Sequence, residues 1–212
     1  MGLFRRYSAG ARFYDVISGE RAVYRAGRVA AVELLGLSPG DVVLDLGCGT
    51  GLNLPLLSSA VGPTGLVIGL DLSPEMLAVA RRRGLHNVVL ERADATQFDP
   101  ARIVELEASA GRSSEGVDAV ISTYAMSVFD DWHPAWDLAK AALRPGGSAA
   151  IVDMQPPTGF AAVLSPLARL ACALGGADIT ARPWRAIERD GTDVERLSLR
   201  GGHVQVAVGV IP

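Results

Sequence analysis

A strand that runs straight into three closely spaced glycines leaves a chain few folds to choose from. Residues 41–54, Asp-Val-Val-Leu-Asp-Leu-Gly-Cys-Gly-Thr-Gly-Leu-Asn-Leu, are such a stretch. Val42, Val43, Leu44 and Leu46 make a short apolar run, the pattern of a strand covered on both faces. Gly47, Gly49 and Gly51 follow at once, where a sharp turn must also let a ligand touch backbone that any Cβ would shield. Residues 52–60 then read as a helix. Strand, glycine turn and helix open a nucleotide-binding βαβ unit.

The spacing of the glycines separates the candidate ligands. A dinucleotide fingerprint is G-x-G-x-x-G. Here the third glycine comes one residue early and Leu52 stands in its place. Asp45, two residues before the first glycine, is a poor neighbour for a pyrophosphate. It suits a ligand with a cationic sulfonium and an amino-acid ammonium.

Residues 66–70 read as a second strand ending at Asp71. A carboxylate there can accept from both hydroxyls of a ribose, a chemistry that nicotinamide and adenosyl ligands share. Ser73 and Pro74 suit the N-cap and first position of a helix. Residues 88–90 form a third strand, followed by Asp94 and Ala95. Residues 117–122 form a fourth, leading into Thr123 and Tyr124, and residues 148–153 a fifth after the turn at 144–147. Residues 192–200 and 203–211 alternate as a hairpin would, which brings the strands to seven.

Around these strands, residues 8–36 read as two helical pieces broken near Ser18 and Gly19. The second carries Ala22, Val23, Ala26, Val29, Ala30 and Leu34 on one face. Residues 99–110 read as a further helix, and 111–116 as an exposed, mobile loop. Residues 160–174 are strongly apolar, with Arg169 their only charge and Pro166 interrupting them, and are too short to span a bilayer. A core helix is the first expectation for them, a lid over a pocket the second, a membrane-surface contact the third.

With 212 residues, 49% of them apolar, the chain can build one sizeable core. We expect a single domain over 1–212, with 1–36 as a helical cap and 41–212 as the core. A formal charge of −3 gives no electrostatic footprint for nucleic acid. Cys48 and Cys172 are isolated, and His86, His133 and His203 are far apart, so neither a disulfide framework nor a metal site is expected. A cytoplasmic setting fits two free thiols and a first stretch, 1–10, without the apolar centre of a signal peptide.

The glycine turn, Asp71, Asp94, the exit of the fourth strand, the Pro145-Gly146 turn and the terminal hairpin together resemble the class I S-adenosylmethionine (SAM)-dependent methyltransferases over roughly residues 41–211. The resemblance implies a Rossmann-like α/β fold: a seven-stranded, mostly parallel sheet in the order 3-2-1-4-5-7-6 with helices on both faces. It implies SAM as cofactor and S-adenosylhomocysteine as product. It assigns cofactor binding to Asp45, Gly47, Cys48, Gly49, Thr50, Gly51, Asn53, Asp71, Leu72, Met76, Asp94, Ala95 and Ser122. Tyr14-Asp15, residues 50–53, residues 123–126 and Pro183-Trp184 look like the branch that methylates quinone rings and phospholipid head groups. That implies a small or amphiphilic acceptor, met by Tyr14, Tyr124 and Trp132, and a peripheral membrane contact. No acid–base pair stands out, and Tyr14 and His133 are the candidates for proton removal. A SAM-binding protein without catalysis and a nicotinamide-dependent oxidoreductase are the alternatives.

Overall fold

The computed structural model describes residues 23–111 and 116–212. The first of the two expected N-terminal helical pieces, Tyr14 with it, lies outside the described residues, as do four positions of the expected loop at 111–116.

Side-chain alternation along the strands sorts the core into two layers. In β1 (Val42–Leu46), Val42, Leu44 and Leu46 join one apolar cluster and Val43 joins the other. β2 (Leu66–Asp71) divides in the same way, with Leu66, Ile68 and Leu70 against Val67. The sheet has seven strands in the order β3-β2-β1-β4-β5-β7-β6. The remaining strands are β3 (Val88–Arg92), β4 (Val117–Thr123), β5 (Leu143–Met154), β6 (Thr192–Leu199) and β7 (Val204–Val210). β1 to β5 pair in parallel, and β7 runs antiparallel to both β5 and β6. The strand count and the order are as expected.

Helices cover both faces. On the Val43 side lie α1 (Arg25–Leu34), α2 (Leu54–Val61) and α3 (Pro74–Arg81). On the other lie α4 (Pro100–Ser109), α5 (His133–Ala142) and, leading into β6, the short α7 (Arg185–Asp190). Ser73 caps α3 by accepting from the Met76 amide at 3.2 Å, and Asp99 caps α4 through the Ala101 amide at 2.9 Å.

Two expectations need correcting. The inward face of α1 is Gly27, Ala31 and Leu35, rotated from the apolar stripe read in the sequence. The reason is steric: Gly27 sits so close that a Cβ would meet Tyr124, Val204 and Val152, and bulkier residues could not take its place. The second correction concerns residues 160–174, which are not a core helix. A 3-10 turn (Gly159–Leu164) and α6 (Ser165–Leu174) bury Cys172 alone and leave their large apolar side chains outside.

Candidate functional site

Strand parity decides where Asp45 points. It shares the face of Val43, so it lies beneath α1 and the start of α2, and it is fully buried. Asn53, next to α2, donates its amide to Asp45 Oδ1 at 2.8 Å and to Thr123 Oγ1, at the end of β4, at 3.0 Å. Arg28 of α1 donates to Asn53 Oδ1 at 3.1 Å and also to the Thr123 hydroxyl. A guanidinium, an amide and a carboxylate thus stand in line behind the glycine turn. Asp45 Oδ2 is buried and has no hydrogen-bond partner among the described residues. Burial pushes the Asp45 carboxyl up to about 7, against the opposing pull of the Asn53 amide and the Arg28 charge; the nearby Asp71 adds to the rise.

The turn itself is built on left-handed backbone. Gly47, Gly49 and Gly51 all have positive φ, at 73°, 56° and 77°. Among the described residues, a Cβ on Gly49 would meet nothing within 4 Å, so they leave open space over the backbone there. Asp71, at the end of the neighbouring strand, holds the turn from one side. Its Oδ2 accepts from the Gly49 amide and its Oδ1 from the Ser73 amide, both at 2.8 Å. Burial raises the Asp71 pKa, and those two amides oppose the rise.

The other expected cofactor residues fall around this core. Cys48 is buried, and its amide donates to the Leu70 carbonyl at 2.9 Å. Burial holds its thiol well above the usual range. Thr50 is buried, with its carbonyl accepting from Arg83 at 2.8 Å. Met76 is buried, Leu72 follows Asp71 with its carbonyl accepting from Arg92, and Ala95 joins the core. Asp94 turns Oδ1 onto the amide and hydroxyl of Thr96, at 2.9 and 2.7 Å. The Ser122 hydroxyl is spent inside the sheet, donating to the Leu46 carbonyl at 3.0 Å.

Of the expected acceptor residues, Tyr124 joins the Asp45 cluster and Trp132 does not. Tyr124 has a left-handed backbone, φ 57°, which a bulky residue adopts only where its surroundings hold it there. Its hydroxyl donates to the Tyr24 carbonyl at 2.8 Å, and Arg28 Cζ lies 5.0 Å from its ring centre. Trp132 stacks on His133 with centroids 3.9 Å apart. The two line a cavity of about 560 Å³ with Arg182, Arg185 and Arg189, and none of its lining residues belongs to the glycine turn. His133 Nδ1 lies 2.8 Å from Asp131 Oδ1, and the His133 amide, with this contact second, holds the Asp131 carboxyl below the usual range.

Sequence reading missed Arg28 and Asp153. Asp153 is fully buried at the end of β5 and accepts from the Ser127 amide and hydroxyl, at 3.0 and 2.7 Å. Burial raises its carboxyl to about 6. Among the described residues, no group of three or more His, Cys, Asp or Glu side chains is placed to hold a metal ion.

Comparison with known proteins adds a domain match. Residues 43–147 match the model of the methyltransferase domain family. Over these residues, just under half of its length, the chain is similar to methyltransferase domains. Over 118 residues it is 36% identical to an arsenite methyltransferase of Halobacterium salinarum, covering 56% of this chain and 28% of that protein. Over 149 residues it is 29% identical to a demethylmenaquinone methyltransferase of Staphylococcus aureus, covering 69% of this chain and 56% of the relative. The chain thus spans between about a quarter and just over half of the length of these two curated relatives. The fold of the methyltransferase component of a complex with the Trm112 activator from Haloferax volcanii superposes with a TM-score of 0.72 at 20% identity, over 100% of this chain and 98% of that one.

Proposed function

We propose that the chain transfers a methyl group from SAM to a small or amphiphilic acceptor, such as a phospholipid amine or a quinone-like ring. Asp45 Oδ2 carries this reading. A buried carboxylate oxygen without a partner among the described residues is costly, and it is relieved either by a proton, as the raised pKa of Asp45 records, or by a ligand that supplies a donor or a positive charge. SAM brings both an ammonium and a sulfonium. The open space over Gly49 fits a ligand lying against the turn.

Bound there, the cofactor supplies a methyl group already activated by its sulfonium. The protein's own residues bind and align. Asp45, oriented by Asn53, would receive the ammonium. Asp71, fixed by the Gly49 and Ser73 amides, would accept from the ribose hydroxyls. Asp94 would accept from the adenine amino group, with Ala95 beside the ring. Alignment of donor and acceptor can be worth about 7–11 kcal/mol, so a nucleophilic acceptor needs no strong base from the chain. Tyr14, Tyr124 and Trp132 are the candidates to meet the acceptor, and Tyr14 or His133 to take a proton.

The test is incubation with methyl-labelled SAM and a cell extract divided into lipid, protein, nucleic-acid and small polar fractions. Label in the lipid fraction is expected. Label confined to protein or nucleic acid would overturn the acceptor class, and no transfer to any fraction would overturn catalysis.

A further inference from the structure

The segment formed by the 3-10 turn and α6 is inverted relative to an ordinary surface helix. Small residues face the protein: Ala161, Ser165 and Ala168 are half-buried and Cys172 is buried, its sulfur 3.7 Å from that of Met154. The large apolar residues face outward. Phe160, Val163, Leu164, Leu167, Leu170 and Leu174 recur at helical spacing and are 103, 79, 54, 65, 57 and 72% exposed. A surface helix normally buries such a stripe, and a contiguous exposed one marks a contact.

We propose that this stripe docks the protein onto a lipid bilayer carrying anionic head groups. Charge supports that occupant. No acidic residue lies between Asp153 and Asp178, and Arg169 is the only charge in that interval. Arg200, also exposed, stands on the hairpin turn beside the start of the segment, where the Thr158 amide donates to the Gly201 carbonyl at 2.8 Å. Size argues against a second copy. The stripe is one helix wide and about 25 Å long, an area of about a few hundred Å² against roughly 800 Å² per partner in a standard interface. A helix face of this kind can lie in the head-group boundary with its apolar side chains inserted and its basic ones among the phosphates. The proposed contact is peripheral, and among the described residues no helix is long and apolar enough to cross a membrane. The inference is independent of the proposed reaction.

The experiment is co-sedimentation of the full chain, without cofactor, with phosphatidylcholine vesicles and with equimolar phosphatidylcholine–phosphatidylglycerol vesicles. The parent should sediment with the anionic vesicles. The double variant L167E/L170E should bind at least about tenfold less, with an unchanged unfolding temperature. Arg169→Glu should weaken binding to the anionic vesicles. Val104→Glu, on an exposed position of α4, should change nothing. Failure of the parent to sediment, or undiminished sedimentation of L167E/L170E, would overturn the proposal. So would a dimer that L167E/L170E splits, or a fall in its unfolding temperature with the parent unbound, since either result gives the stripe a different cover.

Discussion

Asp45 is the residue whose protonation reports most directly on the site. Its carboxyl titrates near 7 in the folded chain against 3.8 ordinarily. Between those values the folded state holds more protons than the unfolded one, so this group makes stability fall as pH rises through that window and leaves it flat above. Asp153, raised to about 6, acts in the same sense over a narrower window. Asp45→Asn should therefore flatten part of the slope of denaturation midpoint against pH; an unchanged slope would contradict the assignment. For the ligand the sign reverses, because an ammonium selects the ionised carboxylate. Affinity for SAM should rise as pH approaches about 7 and fall once the ligand's own α-amino group, with a pKa of about 8, loses its proton. Asp71→Ala should raise the dissociation constant by about ten- to a hundredfold, the cost of hydrogen bonds to a charged acceptor; equal affinity in calorimetry would refute the ribose role. Asp45, Asn53 and Asp71 could be read from the sequence because the strand–turn–strand spacing itself brings them together. Arg28 could not. Its partners Asn53 and Thr123 lie 25 and 95 positions away, and one arginine in a helix has no spacing signature. The available clue was its neighbour Gly27, a glycine inside a helix, where only close packing repays the lost helix propensity.

At the scale of elements, α1 seats Arg28, and Gly27 seats α1. Gly27→Val would drive a branched side chain into Val152 and Val204, where even a Cβ comes within 2.9 and 2.8 Å. It should destabilise the fold by about 1–3 kcal/mol and weaken SAM binding, both measurable on one preparation by chemical denaturation and calorimetry. Destabilisation without loss of binding would separate α1 from the site. The turn after β4 is held in another way, by Asp153 gripping Ser127. Ser127→Ala removes one donor to a buried carboxylate and should cost about 1–3 kcal/mol in denaturant. The strands were legible because period-two patterning and flanking glycines are local signals. The faces of α1 and α6 were not. Helical periodicity shows that an apolar stripe exists but not whether it turns toward the sheet. In both helices small residues take the inward side, Gly27 and Ala31 in one and Ala168 and Cys172 in the other.

For the whole molecule, the sheet order brings the carboxyl ends of β1, β2 and β4 together, and Asp45, Asp71 and Thr123 stand at or next to those ends. This is where an open α/β sheet binds its ligand. No local pattern states that order; it came with the family resemblance, and the geometry agrees with it. The cavity beside Trp132 and His133 was legible only in part: Trp132 was expected to meet an acceptor, but the cavity forms between the start of α5 and residues 180–189, far apart in the chain. A ligand bound only by the folded state should stabilise it by about 2.7 kcal/mol at a hundred times its dissociation constant, so thermal unfolding with and without SAM gives a first indication. The most direct test of the central claim is calorimetric titration of the full chain, near neutral pH, with SAM and separately with NAD. The account predicts saturable binding of SAM and none of NAD. Saturable binding of NAD with no heat from SAM at millimolar concentration would contradict it.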